Sequence, residues 1–144
     1  MFKNVLVPLH LAYVKNHKKL FTGALKVLEQ DEGRLSLLYV NENRQGSVYP
    51  VLDEEGEKHQ NEDAFQRLKE IAQEHQLPRG KISFNIRNGS VHREILEEAH
   101  RVGADAIVMM ATKPSLGSYF ISSTAERVIR HAACSVFVIR LTDY

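Results

Sequence analysis

At 144 residues the chain has the length of a single domain, and 43% hydrophobic with 26% charged residues is the composition of a soluble globular protein. Lys plus Arg is 19 and Asp plus Glu is 18, a net charge of +1, which argues against a dedicated binder of nucleic acid or of anionic membranes. No apolar run approaches the ~20 residues that span a bilayer, and the one cysteine, Cys134, allows no internal disulfide and gives a structural zinc site little support.

The N-terminus, Met1 to Pro8, runs straight into a strand without the small-residue cleavage site of a signal peptide, which points to the cytoplasm. Residues 3–9 form the first predicted strand around Val5-Leu6-Val7. Pro8 suits a strand end, and His10 stands at its carboxyl end. Residues 14–29 carry Val14, Leu20, Phe21, Ala24, Leu25, Val27 and Leu28 at helical spacing and leave Lys15, Lys18, Lys19 and Lys26 wet. Gly33 closes this unit, and Arg34 to Val40 is a second strand, mostly apolar and hence central. Residues 41–56 are rich in turn formers. A connection this long reads either as a functional flap packed down by Tyr49, Val51 and Leu52 or as a disordered insertion.

Residues 57–75 form a helix with Ala64, Phe65, Leu68, Ile71 and Ala72 inward, broken by Leu77-Pro78 and Gly80. Ile82 to Arg87 alternates apolar and polar, which marks a half-covered strand near a sheet edge. Asn88-Gly89-Ser90 turns the chain, and Ser90 can cap a helix whose buried stripe is Ile95, Leu96, Ala99 and Val102 and whose stop is Gly103. Ala106 to Met110 is apolar throughout, a strand covered on both faces. Residues 123–132 form the last helix, with Ala125, Val128 and Ile129 inward, and Ser135 to Ile139 the last strand.

Strands and helices alternate from end to end, which predicts one open α/β domain over 1–144 with right-handed crossovers and a parallel sheet. A binding site belongs where strand order reverses, between the carboxyl ends of the first and fourth strands. After the fourth strand, Ala111 to Ser123 is small and polar and leads into a helix. Such a strand, loop and helix start offers unpaired N–H groups and a positive dipole end to an anion. The alternative is an ordinary connection without a ligand.

No P-loop lysine motif, GxGxxG fingerprint or HExxH spacing is present. His17, His59, His75, His92 and His100 fall on polar helix faces or helix ends and read as solvated surface, while His131 ends a helix where a positive charge meets the dipole favourably. Glu94, Glu97 and Glu98 read as a wet helix face. No nucleophile and base, and no carboxylate pair at a strand end, names a catalytic apparatus.

Several stretches together resemble the universal stress protein family over nearly the whole chain. They are Asn4-Val5-Leu6-Val7-Pro8, Leu35 to Val40, Arg87-Asn88-Gly89-Ser90 leading to Ile95, Ala104 to Met109, and the tail from Ser122-Ser123-Thr124 to Arg140. Leu77-Pro78 and the tail are similar to the single-domain branch whose bacterial members are labelled F and G. The resemblance implies a five-stranded open parallel sheet of order 3-2-1-4-5 with helices on both faces, flavodoxin-like and adenine-nucleotide alpha-hydrolase-like. It also implies a cytoplasmic stress-response role and a homodimer through the last strand, Val136, Phe137, Val138 and Ile139.

Many members of the family bind ATP, with its Mg, or AMP. Carried over to this sequence, Pro8 and His10 would meet the ribose, and Val40 and Asn41 the base. Ala111, Thr112, Lys113, Ser122, Ser123 and Thr124 would hold phosphate, with Lys113 supplying charge, Met110 would be a further nucleotide-site residue, and hydrolysis would be slow at most. The chain departs from the family pattern at several points. His10 stands where the family has an Asp, Ala111 and Pro114 stand where it has glycines, and the loop is about two residues shorter. Ser122-Ser123 replaces Gly-Ser. Glycines let backbone N–H groups approach phosphate closely, and proline has no N–H to offer. The other reading is a nucleotide-free dimeric interaction protein of the same fold, with a protein partner that the sequence does not name.

Overall fold

The computed structural model describes residues 1–11, 16–42, 54–78, 81–111 and 123–140. In chain order the described elements are β1 (Asn4–Pro8), α1 (His17–Val27), β2 (Arg34–Asn41), α2 (Glu54–Glu74), β3 (Ile82–Asn88), α3 (Val91–Val102), β4 (Ala106–Met110), α4 (Ser123–His131) and β5 (Ser135–Ile139). All neighbouring strands run parallel, in the order β3-β2-β1-β4-β5, as expected. β4 is buried at every residue, which is why its sequence is apolar throughout.

Side chains alternate across the sheet and build two cores. Val5 and Val7 of β1, Leu35 and Leu37 of β2, and Val108 of β4 pack with Leu20, Phe21 and Ala24 of α1 and Leu68 and Ile71 of α2. Leu6, Leu38, Ile107 and Met109 point the other way, against Ile95 and Ala99 of α3 and Ala125 and Val128 of α4. The start of β1 is held by Asp105, whose two carboxylate oxygens accept the N–H groups of Lys3 and Asn4, each at 2.9 Å.

The ends of the elements shift for local reasons. α1 stops at Val27 because Leu28 turns extended (ψ 134°) and Glu29 donates to the Phe2 carbonyl. α2 starts at Glu54, inside the predicted loop, with Glu54, Glu55 and Glu57 in its first turn where the helix dipole favours them. The flap residues Tyr49, Val51 and Leu52 lie outside the described residues. Ser90 occupies the N-cap of α3, but its hydroxyl makes no cap bond and meets His92 Nδ1 at 3.2 Å instead. Gly103 ends α3 in the left-handed region (φ 64°) with its N–H returned to the Ala99 and His100 carbonyls.

Four side chains expected on one side lie on the other. Leu25 is exposed because the stripe His17, Leu20, Phe21, Ala24 already faces the sheet, and Ile129 is exposed because the short α4 seats only Ala125 and Val128. His17 and Glu98, expected in solvent, are buried at 2% and 1% exposure. Glu98 accepts from Asn85 Nδ2 at 2.9 Å, from Arg87 Nη1 at 3.1 Å and from Arg101 at 2.8 Å. Glu94, expected to be wet like Glu98, is half-buried and accepts from Arg87 Nε at 2.9 Å. Burial pushes the Glu98 carboxyl up, but those donors outweigh it and leave its pKa below the ordinary value.

Candidate functional site

Beside β1 the sheet opens. The register of β1 with β2 continues to Pro8–Leu38, and that of β4 with β5 to Met110–Ile139, whereas the pairing of β1 with β4 ends at Leu6–Ile107. The carboxyl halves of β1 and β4 therefore part company at the point where strand order reverses. A narrow cleft, open to solvent, occupies the gap. Such crevices are where open α/β sheets hold ligands.

Each wall follows from the local fold. β1 delivers Pro8 and, just beyond it, Leu9 and His10; β2 delivers Leu38, Tyr39 and Val40; β4 delivers Met109 and Met110. The first turn of α1 contributes His17, the first two turns of α3 contribute Val91 and Ile95, and the first turn of α4 contributes Thr124. Three helix N-termini thus border an otherwise apolar cleft, a setting for a flat apolar ring with a negative group at one end. Among the described residues no carboxylate lines it.

Of the residues expected at a ligand, Pro8, His10, Val40, Met110 and Thr124 come together here. Asn41 does not. Its amide donates to Gln60 Oε1 at 3.1 Å, its carbonyl accepts the Gly89 N–H, and it borders a separate polar recess with Leu11 and Arg67. The Ala111 N–H donates to the Ile139 carbonyl at 3.2 Å, so it is occupied. Ser123 is exposed at the start of α4. Thr112, Lys113 and Ser122 lie outside the described residues.

His17 was not among the expected site residues, although its spacing to Leu20, Phe21 and Ala24 puts it on the buried stripe. Its Nε2–H donates to the His10 carbonyl at 2.7 Å, which leaves Nδ1 as the unprotonated nitrogen, buried and without a partner among the described residues. The His17 ring lies 6.0 Å from Phe21 and 6.2 Å from His75. Burial pushes the His17 pKa down; His75 and Arg67 push the same way, against the His10 carbonyl and Glu74. Burial also lowers the His10 pKa, opposed by Glu42, and raises that of the Tyr39 hydroxyl. Near neutral pH the cleft therefore presents neutral rings. Among the described residues no group of three or more His, Cys, Asp or Glu is placed to hold a metal ion.

The sequence pattern of the Universal stress protein family matches residues 1–140. Universal stress protein G of Escherichia coli O157:H7 is 30% identical over 146 residues, spanning 97% of this chain and 100% of that protein. The solved structure of universal stress protein UspA from Lactobacillus plantarum is 26% identical with a TM-score of 0.67, over 96% of this chain and 97% of that one. A universal stress protein solved in complex with cAMP is 14% identical with a TM-score of 0.63, over 96% and 97% of the two chains, a likeness of fold.

Proposed function

We propose, from the premise that this chain belongs to the universal stress protein family, that it is a stress-response regulator that holds an adenine nucleotide in the cleft between β1 and β4. One observation carries the reading: the parting of β1 and β4 beyond Leu6–Ile107 creates a cleft bordered by Pro8, His10, Val40, Met110 and Thr124. The base packs between the aliphatic walls near Val40 and Ile95, the ribose faces Pro8 and His10, and the phosphate end points to the start of α4 at Thr124. A relative of the same fold has been solved with cAMP, which supports a nucleotide as the ligand class. Any Mg arrives with ATP on its phosphates. Hydrolysis is slow at most, a reading supported by the lining of the cleft, which among the described residues holds no carboxylate to serve as a base.

Mass spectrometry of the denatured protein, followed by calorimetry with ATP, AMP and cAMP, tests this. A co-purifying adenine nucleotide or saturable binding is expected. No nucleotide and no heat from any of the three would overturn it.

A second reading is favoured by the engaged Ala111 N–H and by His10 in the family's Asp position: a nucleotide-free dimer that works by binding another protein. Either way the dimer forms along β5, the sheet edge that carries Val136, Phe137, Val138 and Ile139. No helix of the described residues is long and apolar enough to cross a membrane, which is compatible with work in the cytoplasm.

A further inference from the structure

Val91 and Ile95 of α3 and Thr124 of α4 wall one side of the cleft, and the two helices pack together. His92 follows directly on Val91. Arg127 stands three residues after Thr124, about 4.5 Å along the helix axis and on a neighbouring face. Ser123, Arg127 and His131 continue as a row at four-residue spacing, all exposed, and Arg93 is exposed beside His92. His92, Arg93 and Arg127, three groups that are or can become cationic, thus stand within three residues of the cleft-lining Val91 and Thr124 on two helices that pack together.

The nearby carboxylates do not neutralise them. Glu94 is taken by Arg87 at 2.9 Å and Glu126 by Arg130 at 2.9 Å. Among the described residues neither Arg93 nor Arg127 has a carboxylate partner. His92 feels the result: burial, then the charges of Arg127, Arg93 and His131, pushes its pKa below the ordinary value. Positive charge collected without a counter-charge is a binding surface for an anion, and its place at the cleft mouth says which part of a ligand it meets.

We propose that His92, Arg93 and Arg127 form a phosphate-recognition surface outside the cleft, which selects nucleotides with a polyphosphate chain over monophosphates. The inference rests on the adenine-nucleotide reading for the base and adds the element that sets phosphate number. The first phosphate lies at the start of α4, and the rest of the chain extends past Thr124 toward Arg127 and the first turn of α3. A bound polyphosphate also stabilises the imidazolium of His92, so affinity rises as pH falls.

The test is calorimetry at constant ionic strength with ATP, AMP and inorganic tripolyphosphate, at pH 6 and pH 8, on the native protein, Arg127→Gln and His92→Gln. Arg127 is exposed and His92 half-buried, and neither belongs to the core, so the variants fold. ATP is expected to bind more tightly than AMP and more tightly at pH 6 than at pH 8. Arg127→Gln is expected to weaken ATP about fivefold to tenfold and AMP less than about twofold, the scale of one charge-assisted phosphate contact. His92→Gln should flatten the pH dependence. ATP binding that ignores both substitutions, or an equal loss for ATP and AMP, would overturn the surface and leave the adenine reading standing. Tripolyphosphate binding that Arg127→Gln abolishes, without any AMP binding, would keep the surface and remove the adenine reading. Silence from ATP and tripolyphosphate with AMP still bound would overturn the surface alone, and silence from ATP, AMP and tripolyphosphate would remove both.

Discussion

His17 Nε2 and the backbone carbonyl of His10 are 2.7 Å apart, so the first residue of α1 holds the stretch of chain that carries His10 to the cleft. The bond uses one imidazole nitrogen, and the other is buried with no acceptor for a second proton among the described residues. Protonating His17 therefore costs folding energy. Its folded pKa lies below the unfolded value of about 6.5, so the unfolded chain takes up the proton first. The stability this group contributes is complete above about pH 6.5 and is lost as pH falls from there through the lowered folded pKa. His10 and His92 are shifted the same way and add to the effect. The melting temperature is expected to drop between pH 7.5 and pH 5.5, and less steeply in His17→Leu. Parallel pH profiles for the two proteins would contradict the assignment.

Glu98 is the buried hub of a network whose cations are less buried than it is. Its side chain is 1% exposed, against 22% for Arg87 and 58% for Arg101. Glu98→Gln is expected to cost about 1.5–3 kcal/mol in urea unfolding, the range for hydrogen bonds to a charged group. Arg101→Ala should cost under about 1 kcal/mol, because a largely exposed ion pair contributes little. The lowered folded pKa also means that stability from Glu98 is present above the unfolded value of about 4.3 and lost as pH falls through the folded one. Acid unfolding should begin at higher pH in the native protein than the loss measured in Glu98→Gln would extrapolate to. An order with Arg101→Ala the more damaging would refute this account.

Two glycines separate steric need from conformational need. A Cβ on Gly33 would run into the Glu29 carbonyl oxygen and come within 2.6 Å of Leu28 Cγ. Around Gly103 nothing lies within 4 Å, but its φ is +64°. Gly33→Ala is expected to cost about 2–3 kcal/mol, since backbone must move, and Gly103→Ala about 1–2 kcal/mol for the left-handed conformation alone. Chemical denaturation of the two variants checks the order.

His10→Asp is expected to tighten adenine-nucleotide binding. A carboxylate accepts from ribose hydroxyls with both oxygens, whereas a neutral imidazole has one acceptor and one donor. Calorimetry at pH 7 decides; equal or weaker binding by the variant would count against a ribose contact at this position.

Val138→Pro removes a backbone donor in β5 and should leave a monomer in sedimentation at micromolar concentration, where the native protein sediments as a dimer. A native monomer, or a dimer unchanged by the substitution, would exclude this edge as the interface.

Much of the architecture was legible because it depends on local signals. The run Ala106 to Met110 can only be a strand covered on both faces, and alternation with helices then forces parallel pairing. Pro8, His10, Val40, Met110 and Thr124 met in one cleft because each follows or ends a strand at the same side of the sheet, or begins a helix there. His17 and Glu98 were illegible for a different reason. Polar residues are assigned to solvent unless a partner is known, and the partners of Glu98, Asn85 and Arg87, sit on another element 13 and 11 residues away. Both residues nonetheless fall in register with apolar neighbours, His17 with Leu20 and Phe21, Glu98 with Ile95 and Ala99. Ser90 shows the opposite case: a good capping residue at the right place whose hydroxyl took another partner.

The carboxylate of Asp105, which receives the N–H groups of Lys3 and Asn4, couples the start of β1 to a residue made about a hundred positions later. β1 lies between β2 and β4, so the nascent chain leaves the ribosome with the middle of its sheet first. β2 can join it early, but β4 is synthesised only after α2, β3 and α3. At about 5–20 residues per second that interval lasts several seconds, during which the edge of Val5, Leu6 and Val7 stands open to any passing strand. Until Asp105 arrives, a strand that ends up in the middle of the finished sheet is the part of the growing chain most in need of a chaperone.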